Sequence, residues 1–195
     1  MRNRIFFCVL ATLLSMAGLA RGQGAWDFGA GYSRLSVDVG NGEDHSGWGM
    51  VLRWCRPIAE NTNGARMFFA LRTSYYPGGD AFENAIWNVW MLTPEIGLAW
   101  YQQLSDSGLF LEPSVAVGAP IATYSGRVRI LSDLFEEADT AVGWAVRPGV
   151  LLGYRSGTLT IGAEASYGFQ GINFTEEASG THSELYFGFF VRAAR

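Results

Sequence analysis

The sequence predicts an all-β fold: an eight-stranded antiparallel up-and-down transmembrane β-barrel that follows an N-terminal signal peptide. From Ala141 to Phe169, bulky apolar residues alternate with small ones at a period of two, on both sides of a tight turn at Arg155-Ser156-Gly157. The small face is mostly Gly, Ala and Ser. A hydrated sheet face would carry more polar side chains, whereas the interior of a narrow closed barrel has little room per side chain. Six further segments alternate in the same way, and their connections are long and short in turn.

The bulky face of the 141–169 hairpin is expected to meet lipid. Its larger aromatic residues stand near strand ends, where aromatic girdles flank the apolar band of membrane barrels: Trp144, Tyr154, Tyr167 and Phe169. Each predicted strand reaches the ~9–11 residues that a tilted strand needs to cross a bilayer. The hairpin is therefore predicted to span a membrane.

The first 20 residues have the features of a secretory signal peptide. Arg2 and Arg4 precede an apolar core, Ile5–Leu14, and Gly18-Leu19-Ala20 is a small-x-small site of the kind that signal peptidase cleaves. The apolar run is too short to predict a retained transmembrane helix. We predict cleavage after Ala20, so that residues 1–20 are the signal peptide and residues 21–195 are the barrel domain.

The composition of residues 21–195 excludes several classes of protein. This range has the length of one domain and contains 12 Arg, no Lys and 18 acidic residues, a charge that argues against a nucleic-acid partner. Cys55 is its only cysteine, so no internal disulfide can form. It is rich in glycine and aromatic residues and has no long apolar segment, which favours a membrane barrel over a helical membrane protein.

The alternation sets the bounds of the predicted strands. They are Ala25–Val37, Gly47–Arg56, Arg66–Tyr76, Ala85–Gln102, Leu109–Thr123, the two halves of the 141–169 hairpin, and Ser183–Arg192. The longest connection, Tyr124–Thr140, is predicted to be a loop with one or two helical turns at Leu131–Ala138. Proline cannot donate to a ladder, so Pro94, Pro113 and Pro148 are expected to mark bulges or strand ends.

Several features occur together in this chain: a signal peptide, eight alternating segments, Glu112-Pro113 with a following Gly118, Arg147-Pro148-Gly149, and an aromatic last strand, Leu185–Phe190. Together they resemble the small eight-stranded outer-membrane β-barrel superfamily of OmpA-like, OmpW-like and opacity-type proteins. The resemblance covers residues 21–195. It implies a Gram-negative cell envelope, location in the bacterial outer membrane, contact with outer-membrane lipid and lipopolysaccharide, insertion by the barrel-assembly machinery, and a monomer. Such barrels usually end on an aromatic residue, whereas Val191–Arg195 follow Phe190 here.

Charged residues at inward positions form the candidate functional site. The carboxylates are Asp27, Glu95, Glu112, Glu164 and Glu184, and the arginines are Arg53, Arg72, Arg147 and Arg192. Isolated carboxylates inside a narrow barrel would be costly, so arginine partners are expected to neutralise them through charge-assisted hydrogen bonds. One interpretation is a salt-bridged plug, and the other is a narrow or gated ion path along the charges.

The sequence predicts no catalytic residue, cofactor or metal site. His45 and His182 are expected to be solvated at loops or strand ends. His182, Ser183 and Glu184 invite comparison with outer-membrane lipid A deacylases, which use His, Ser and an acid, but adjacent strand residues point to opposite faces. No Cys/His metal spacing, phosphate loop or paired catalytic carboxylates stand out, and the acidic loops have no calcium-loop spacing.

Three functions follow from these observations. The first is an integral outer-membrane barrel with a structural, surface-interaction or porin-like small-solute role, its interior plugged by charged pairs. The second is a lipid-modifying, lipid A deacylase-like enzyme of the same fold, and the third is a soluble periplasmic lipocalin-like or sandwich protein. The environment of Trp90, Trp100, Val150 and Ile161 separates the third from the others, because a soluble barrel would bury them in a core.

Overall fold

The structure, a computed structural model, describes residues 24–37, 43–58, 63–77, 85–130, 133–173 and 179–194. The predicted signal peptide, residues 1–20, lies outside the described residues. The strands are β1 Ala25–Val37, β2 Glu43–Pro57, β3 Gly64–Pro77, β4 Ala85–Gln103, β5 Leu109–Gly118, β6 Ile121–Ile130, β7 Asp133–Ser156, β8 Leu159–Asn173 and β9 Ser179–Ala194. Within the described ranges, no helix is long and apolar enough to cross a membrane.

β5 and β6 are two halves of one barrel strand, so the barrel has the eight strands that were predicted. Both halves pair with β4 and with β7, and the register continues unchanged across Ala119 and Pro120. The Ala119 amide donates to the Pro94 carbonyl (3.1 Å), and the Gly143 amide donates to the Pro120 carbonyl (2.9 Å). In an antiparallel ladder, the N–H and C=O of one residue point to the same neighbouring strand. Pro94 and Pro120 have no N–H, so each of these two residue pairs has one hydrogen bond where other residues would have two.

The other prolines also interrupt a ladder without shifting it. Pairing of β4 with β5 lapses opposite Pro113, pairing of β7 with β8 lapses at Arg147 and Pro148, and each resumes in the same register. A bulge would have inserted a residue into one strand and changed the register. The expectation of bulges or strand ends at Pro94, Pro113 and Pro148 is therefore wrong, because each lies within a strand and removes only its own hydrogen bonds.

The sheet closes because β1 pairs with both β2 and β9. One circuit of register partners runs from Trp26 through Trp54, Phe69, Ile96, Val117, Val146, Phe169 and Ser183 and returns to β1 at Ser36. The return point lies ten residues beyond the start, and such a stagger tilts the strands of a barrel by roughly 35–45° from its axis. All pairs are antiparallel, so the barrel is of the up-and-down kind.

The two ends of the barrel differ. The terminal end holds Ala25, its partner Ala194 and the short connections 58–63, 104–108 and 157–158, and the opposite end is called the loop end. The β7–β8 turn is Gly157-Thr158 and not the predicted Arg155-Ser156-Gly157, and Gly157 has a φ of 61°, which favours glycine.

The predicted 124–140 loop with helical turns is wrong. β6 continues to Ile130 and β7 begins at Asp133, so the described part of this segment is a β-hairpin that extends the barrel wall. Its pairing is unbroken from Ile121 opposite Val142 to Ile130 opposite Asp133. Residues 131 and 132 lie outside the described part of the chain.

The large apolar side chains lie on the outside. Trp90, Trp100, Val150 and Ile161 are 39–53% exposed, which confirms the inside-out assignment and contradicts the soluble lipocalin-like alternative. The exterior Trp and Tyr residues form two groups, one toward each end of the barrel, and outward phenylalanines such as Phe28 and Phe189 lie between them. Trp26, Trp54, Trp100 and Tyr154 lie toward the terminal end, and Tyr32, Trp48, Tyr75, Trp90 and Trp144 lie toward the loop end.

The spacing of these groups fits a bilayer. Ten residues separate Trp90 from Trp100 in β4, and ten separate Trp144 from Tyr154 in β7. Ten residues of a strand tilted by roughly 40° rise about 25 Å, the height of the apolar band of outer-membrane barrels. The predicted transmembrane barrel is therefore confirmed.

Candidate functional site in the barrel interior

Six buried charged residues from six strands meet in the middle of the barrel and form the central layer. They are Arg53, Arg72, Glu95, Arg147, Glu164 and Glu184. Arg147 bridges two carboxylates, with Nε 2.7 Å from Glu95 and Nη2 2.6 Å from Glu184. Arg72 donates to Glu164 (2.9 Å), and Arg53 also donates to Glu164. Three positive and three negative charges therefore share one layer.

Glu184 accepts hydrogen bonds from five side chains. Its Oε1 accepts from Ser33 (2.8 Å), Ser74 (2.6 Å) and Tyr76 (2.6 Å). Its Oε2 accepts from Arg147 (2.6 Å) and Gln170 (2.9 Å). A carboxylate that is 1% exposed requires such compensation, because water no longer solvates it. This side chain ties β1, β3, β7, β8 and β9 together across the lumen.

The terminal layer lies nearer the chain termini and is built around Arg192. Its Nε and Nη2 donate to Asp27 (2.6 and 2.8 Å), and Nη1 and Nη2 donate to Glu112 (3.0 and 2.9 Å). Glu112 also accepts from Arg66 at 3.3 Å. The Cys55 thiol donates to Asp27 at 3.7 Å and is free and buried. Two carboxylates again balance two guanidinium groups.

Aromatic rings pack against the interior arginines. The guanidinium of Arg66 lies 3.9 Å from the ring centroid of Tyr101, Arg72 lies 4.6 Å from Tyr186, and Arg53 lies 5.1 Å from Phe68. The rings cover guanidinium faces while Nη2 of Arg53 and of Arg72 donates to Glu164. Among the described residues, Arg53 Nε, Arg72 Nε and Arg72 Nη1 are buried without a hydrogen-bond partner.

An apolar cluster covers the central layer toward the loop end. This apolar cap consists of Leu35, Tyr76, Met91, Ala122, Ala141 and Ile172, each at most 5% exposed. The Tyr76 hydroxyl reaches down to Glu184, so one residue belongs to both the cap and the hydrogen-bond network. A cavity of only about 10 Å³ lies among Arg53, Arg72, Arg147 and their neighbours. This volume has room for no more than about one water molecule.

Small residues make room for this packing. A Cβ on Gly168 would come within 2.8 Å of the Arg147 guanidinium, and one on Gly188 would come within 2.2 Å of the Tyr186 hydroxyl. The glycine-rich inner face that suggested a narrow barrel is thus the space that long interior side chains occupy.

All nine charged residues at predicted inward positions are buried in the lumen. Sequence reasoning missed Arg66, which follows the same period of two as Arg72 but stands at the first residue of its predicted strand. It also missed the neutral donors to Glu184, because a periodic pattern gives the face of a residue but not its cross-barrel partners.

The histidine prediction needs correction. His182 lies within β9 and is 4% exposed, and His45 lies within β2 and is partly buried, so neither is a solvated loop residue. The ladder continues past the predicted strand start at Ser183, which turns His182 inward. Ser183 points to the opposite face, as expected from the alternation. Among the described residues, no group of three His, Cys, Asp or Glu side chains could hold a metal ion.

Comparison with known proteins identifies the architecture. No family model and no curated protein matches the sequence. Neisserial surface protein A (NspA) is similar in structure, with a TM-score of 0.55, 14% identity, and coverage of 88% of this chain and 97% of that one. Ail, the attachment invasion locus protein of Yersinia pestis, has a TM-score of 0.51 and 12% identity, covering 88% and 99%. A major outer membrane protein of Thermus thermophilus has a TM-score of 0.51 and 8% identity, covering 88% and 100%.

At these identities the likeness shows the fold, which is that of the small eight-stranded outer-membrane β-barrels, as predicted. A closed barrel of this kind with an apolar belt between two aromatic groups belongs in a membrane. Fold and exterior together agree with the predicted location in the bacterial outer membrane.

Proposed function

We propose that this chain is a sealed outer-membrane barrel that holds its long hairpins at the cell surface for contact with other molecules, and that it does not pass solutes. The observation that carries the proposal is the central layer, in which three carboxylates and three arginines leave a cavity of about 10 Å³. An ion crossing this layer would have to break buried pairs, at a cost of several kcal/mol for each. The apolar cap adds a second barrier on the loop side.

Conductance in planar bilayers tests the seal. The purified chain is expected to leave the bilayer at its baseline current. The alternative, an ion path along the interior charges, predicts a steady ohmic current that changes when Glu112 and Arg147 are both replaced by Gln. A steady current through the unmodified chain would overturn the proposed seal.

The distribution of charge supports a surface role for the loop end. Most of the acidic residues of the chain lie in the connections at the loop end or in the parts of the strands next to those connections. They are Asp38, Glu43, Asp44, Asp80, Glu83, Asp133, Glu136, Glu137, Asp139, Glu176 and Glu177, against Arg34, Arg127 and Arg129. NspA is named a surface protein, and Ail is named an attachment invasion locus protein. By analogy, we infer that the acidic loop end faces the exterior.

Epitope insertion tests the orientation. A tag placed between Gly78 and Gly79, in the β3–β4 connection, should be detected on intact cells. The same tag placed between Asp106 and Ser107, in a short turn at the terminal end, should be detected only after permeabilisation. The reverse pattern would refute the orientation, and failure of both tagged chains to reach the outer membrane would refute the location.

The remaining parts of the proposal concern partners and catalysis. We infer that outer-membrane lipid and lipopolysaccharide surround the belt, that the barrel-assembly machinery inserts the chain, and that the barrel is monomeric. We also infer that the chain is not a lipid-modifying enzyme, since His182 and Glu184 point into the lumen while Ser183 points away from them. Lipid A from a deletion strain should therefore have an unchanged mass spectrum, and a shifted acylation pattern would favour the enzyme.

A further inference from the structure

A vestibule of about 170 Å³ opens at the terminal end, outside the terminal layer. Arg66, Arg155 and Arg192 line it, and no carboxylate is among its described lining residues. Asp27 and Glu112 lie behind this wall and are occupied by Arg192, which donates to both at 2.6–3.0 Å. The vestibule is thus lined by guanidinium donors: Arg66 and Arg192 belong to the neutral terminal layer, and Arg155 adds one positive charge.

Two of these arginines keep donor capacity toward the vestibule. Arg66 reaches its one carboxylate contact among the described residues, Glu112, at 3.3 Å, and its side chain is 21% exposed. Its guanidinium lies over the Tyr101 ring, 3.9 Å from the centroid, and this contact holds the group at the vestibule wall. Arg155 is exposed and donates Nε to the Gly157 carbonyl at 3.3 Å. A guanidinium has five N–H donors, so each of these groups retains several.

The size of the vestibule limits the ligand. Its volume of about 170 Å³ exceeds the roughly 10–15 Å³ that one buried water needs on the same measure. Pockets for drug-sized molecules measure about 300–1,000 Å³. An inorganic oxyanion fits this volume, and guanidinium groups bind the oxygens of phosphate or sulfate in a bidentate manner.

We propose that the vestibule binds a small oxyanion that bears a phosphate or sulfate group, held between Arg66 and Arg155. The Thr160 hydroxyl, also in the lining, supplies a further donor. This site is independent of the proposed seal and surface role, because it lies on the terminal side of the interior layers.

Calorimetric titration with inorganic phosphate tests the site. The full chain is prepared in a maltoside detergent, which contains no phosphate, at constant ionic strength. Saturable binding at one site is expected, and Arg66→Gln and Arg155→Gln should each weaken it about tenfold through the loss of charged hydrogen bonds. Arg56→Gln is the matched control, because Arg56 is exposed on β2 at the terminal end of the barrel but does not line the vestibule.

Each outcome bears on the proposal. Absence of saturable binding up to millimolar phosphate would overturn it, and so would an equal loss in Arg56→Gln, which would indicate diffuse charge attraction. Heat-modifiable gel mobility verifies folding, and Arg155→Gln, at an exposed position, serves where Arg66→Gln fails to fold.

Nanodiscs then identify the source of the oxyanion. Weaker phosphate binding in phosphatidylglycerol than in phosphatidylcholine discs would assign the site to a lipid headgroup, and equal binding would assign it to a soluble oxyanion.

Discussion

The interior carboxylates differ in the number of side chains that donate hydrogen bonds to them. Asp27 has one arginine partner, whereas Glu184 has five donors from four strands other than its own. Breaking a buried charge pair by removing one partner is strongly destabilising, because the other charge is left buried and uncompensated. Glu184 is therefore the residue at which the smallest chemical change should have the largest effect.

Replacing Glu184 with Gln tests this view. The amide would keep an acceptor for the hydroxyl groups of Ser33, Ser74 and Tyr76, but its NH₂ would face the donors of Arg147 and Gln170. We expect the free energy of unfolding to fall by about 3–5 kcal/mol. The urea midpoint for loss of the fast-migrating folded band measures it.

Asp106→Asn is the matched control for that substitution. Asp106 is exposed in the β4–β5 turn, so the same change of carboxylate to amide should alter the free energy of unfolding by no more than about 0.5 kcal/mol. Equal midpoints for Glu184→Gln and the unmodified chain would mean that the network does not stabilise the barrel.

At this scale the sequence predicts the face of a residue better than its partners. The period of two assigned Asp27, Glu112 and Arg192 to the lumen, and all three lie there. Their pairing depends on the stagger of the closed sheet, which brings residues of non-adjacent strands together, as with Arg192 on β9 and Glu112 on β5. No local pattern encodes that stagger, so the five-donor environment of Glu184 could not be predicted.

At the scale of elements, the β6–β7 hairpin shows where local patterns mislead. The sequence predicts a loop at Tyr124–Thr140 with one or two helical turns at Leu131–Ala138. The structure continues the ladder through it, with Arg127 opposite Glu136. Pairing with a neighbouring strand adds hydrogen bonds that an isolated helical turn lacks, so the extended ladder overrides the weak local preference.

Two register-preserving deletions test which part of this hairpin the barrel needs. Replacing residues 128–135 with Asn-Gly keeps the pair Arg127–Glu136 and closes it with a two-residue turn of the type that suits hairpins. This shallow cut should leave a heat-modifiable barrel with a nearly unchanged urea midpoint, because it removes little of the pairing with β4.

The deep cut places Asn-Gly between Ile121 and Val142. It deletes Ala122 and Ala141 from the apolar cap and removes the β6 partner of Ala85–Met91 in β4, which keeps its pairing with β3 from Asn88 onward. We expect it to lose the folded band in the same gel measurement. Similar behaviour of the two deletions would mean that the cap and the β4–β6 pairing contribute little to the barrel.

At the scale of the whole molecule, charge is distributed along the barrel axis. The loop end is acidic, the layers of the lumen are neutral, and Arg56 and Arg155 lie at the terminal end outside those layers. Ail has also been solved with the heparin analogue sucrose octasulfate, a polyanion. The acidic loop end of this chain should repel such a ligand, since like charges oppose association at interfaces.

Intact cells present only the loop end in the proposed orientation, so heparin binding by cells tests this repulsion. Cells that carry the chain should bind no more labelled heparin at physiological salt than cells of a deletion strain. Additional binding that weakens as salt rises would contradict the expected repulsion at the loop end.

Closure of the barrel depends on the seam between β1 and β9, and this seam includes Arg192. Two truncations that differ by one residue separate the role of the ladder from that of the ion pair. Among the described residues, a chain ending at Arg192 loses the pairs of Ala193 with Trp26 and Leu159 and the pair of Ala194 with Ala25, at the fraying end of the seam. Its urea midpoint should stay close to that of the full chain.

A chain ending at Val191 also loses the guanidinium that neutralises both Asp27 and Glu112. Among the described residues, Glu112 then keeps Arg66 at 3.3 Å, and Asp27 keeps only the Cys55 thiol at 3.7 Å. We expect a loss of about 3–5 kcal/mol relative to the chain ending at Arg192, measured by refolding both in detergent. Both truncations carry a new terminal carboxylate at the same rim, so that charge cannot account for the difference. Equal stability would mean that the backbone ladder alone closes the barrel. The ion pairs of the terminal layer would then occupy the lumen without stabilising the closed barrel.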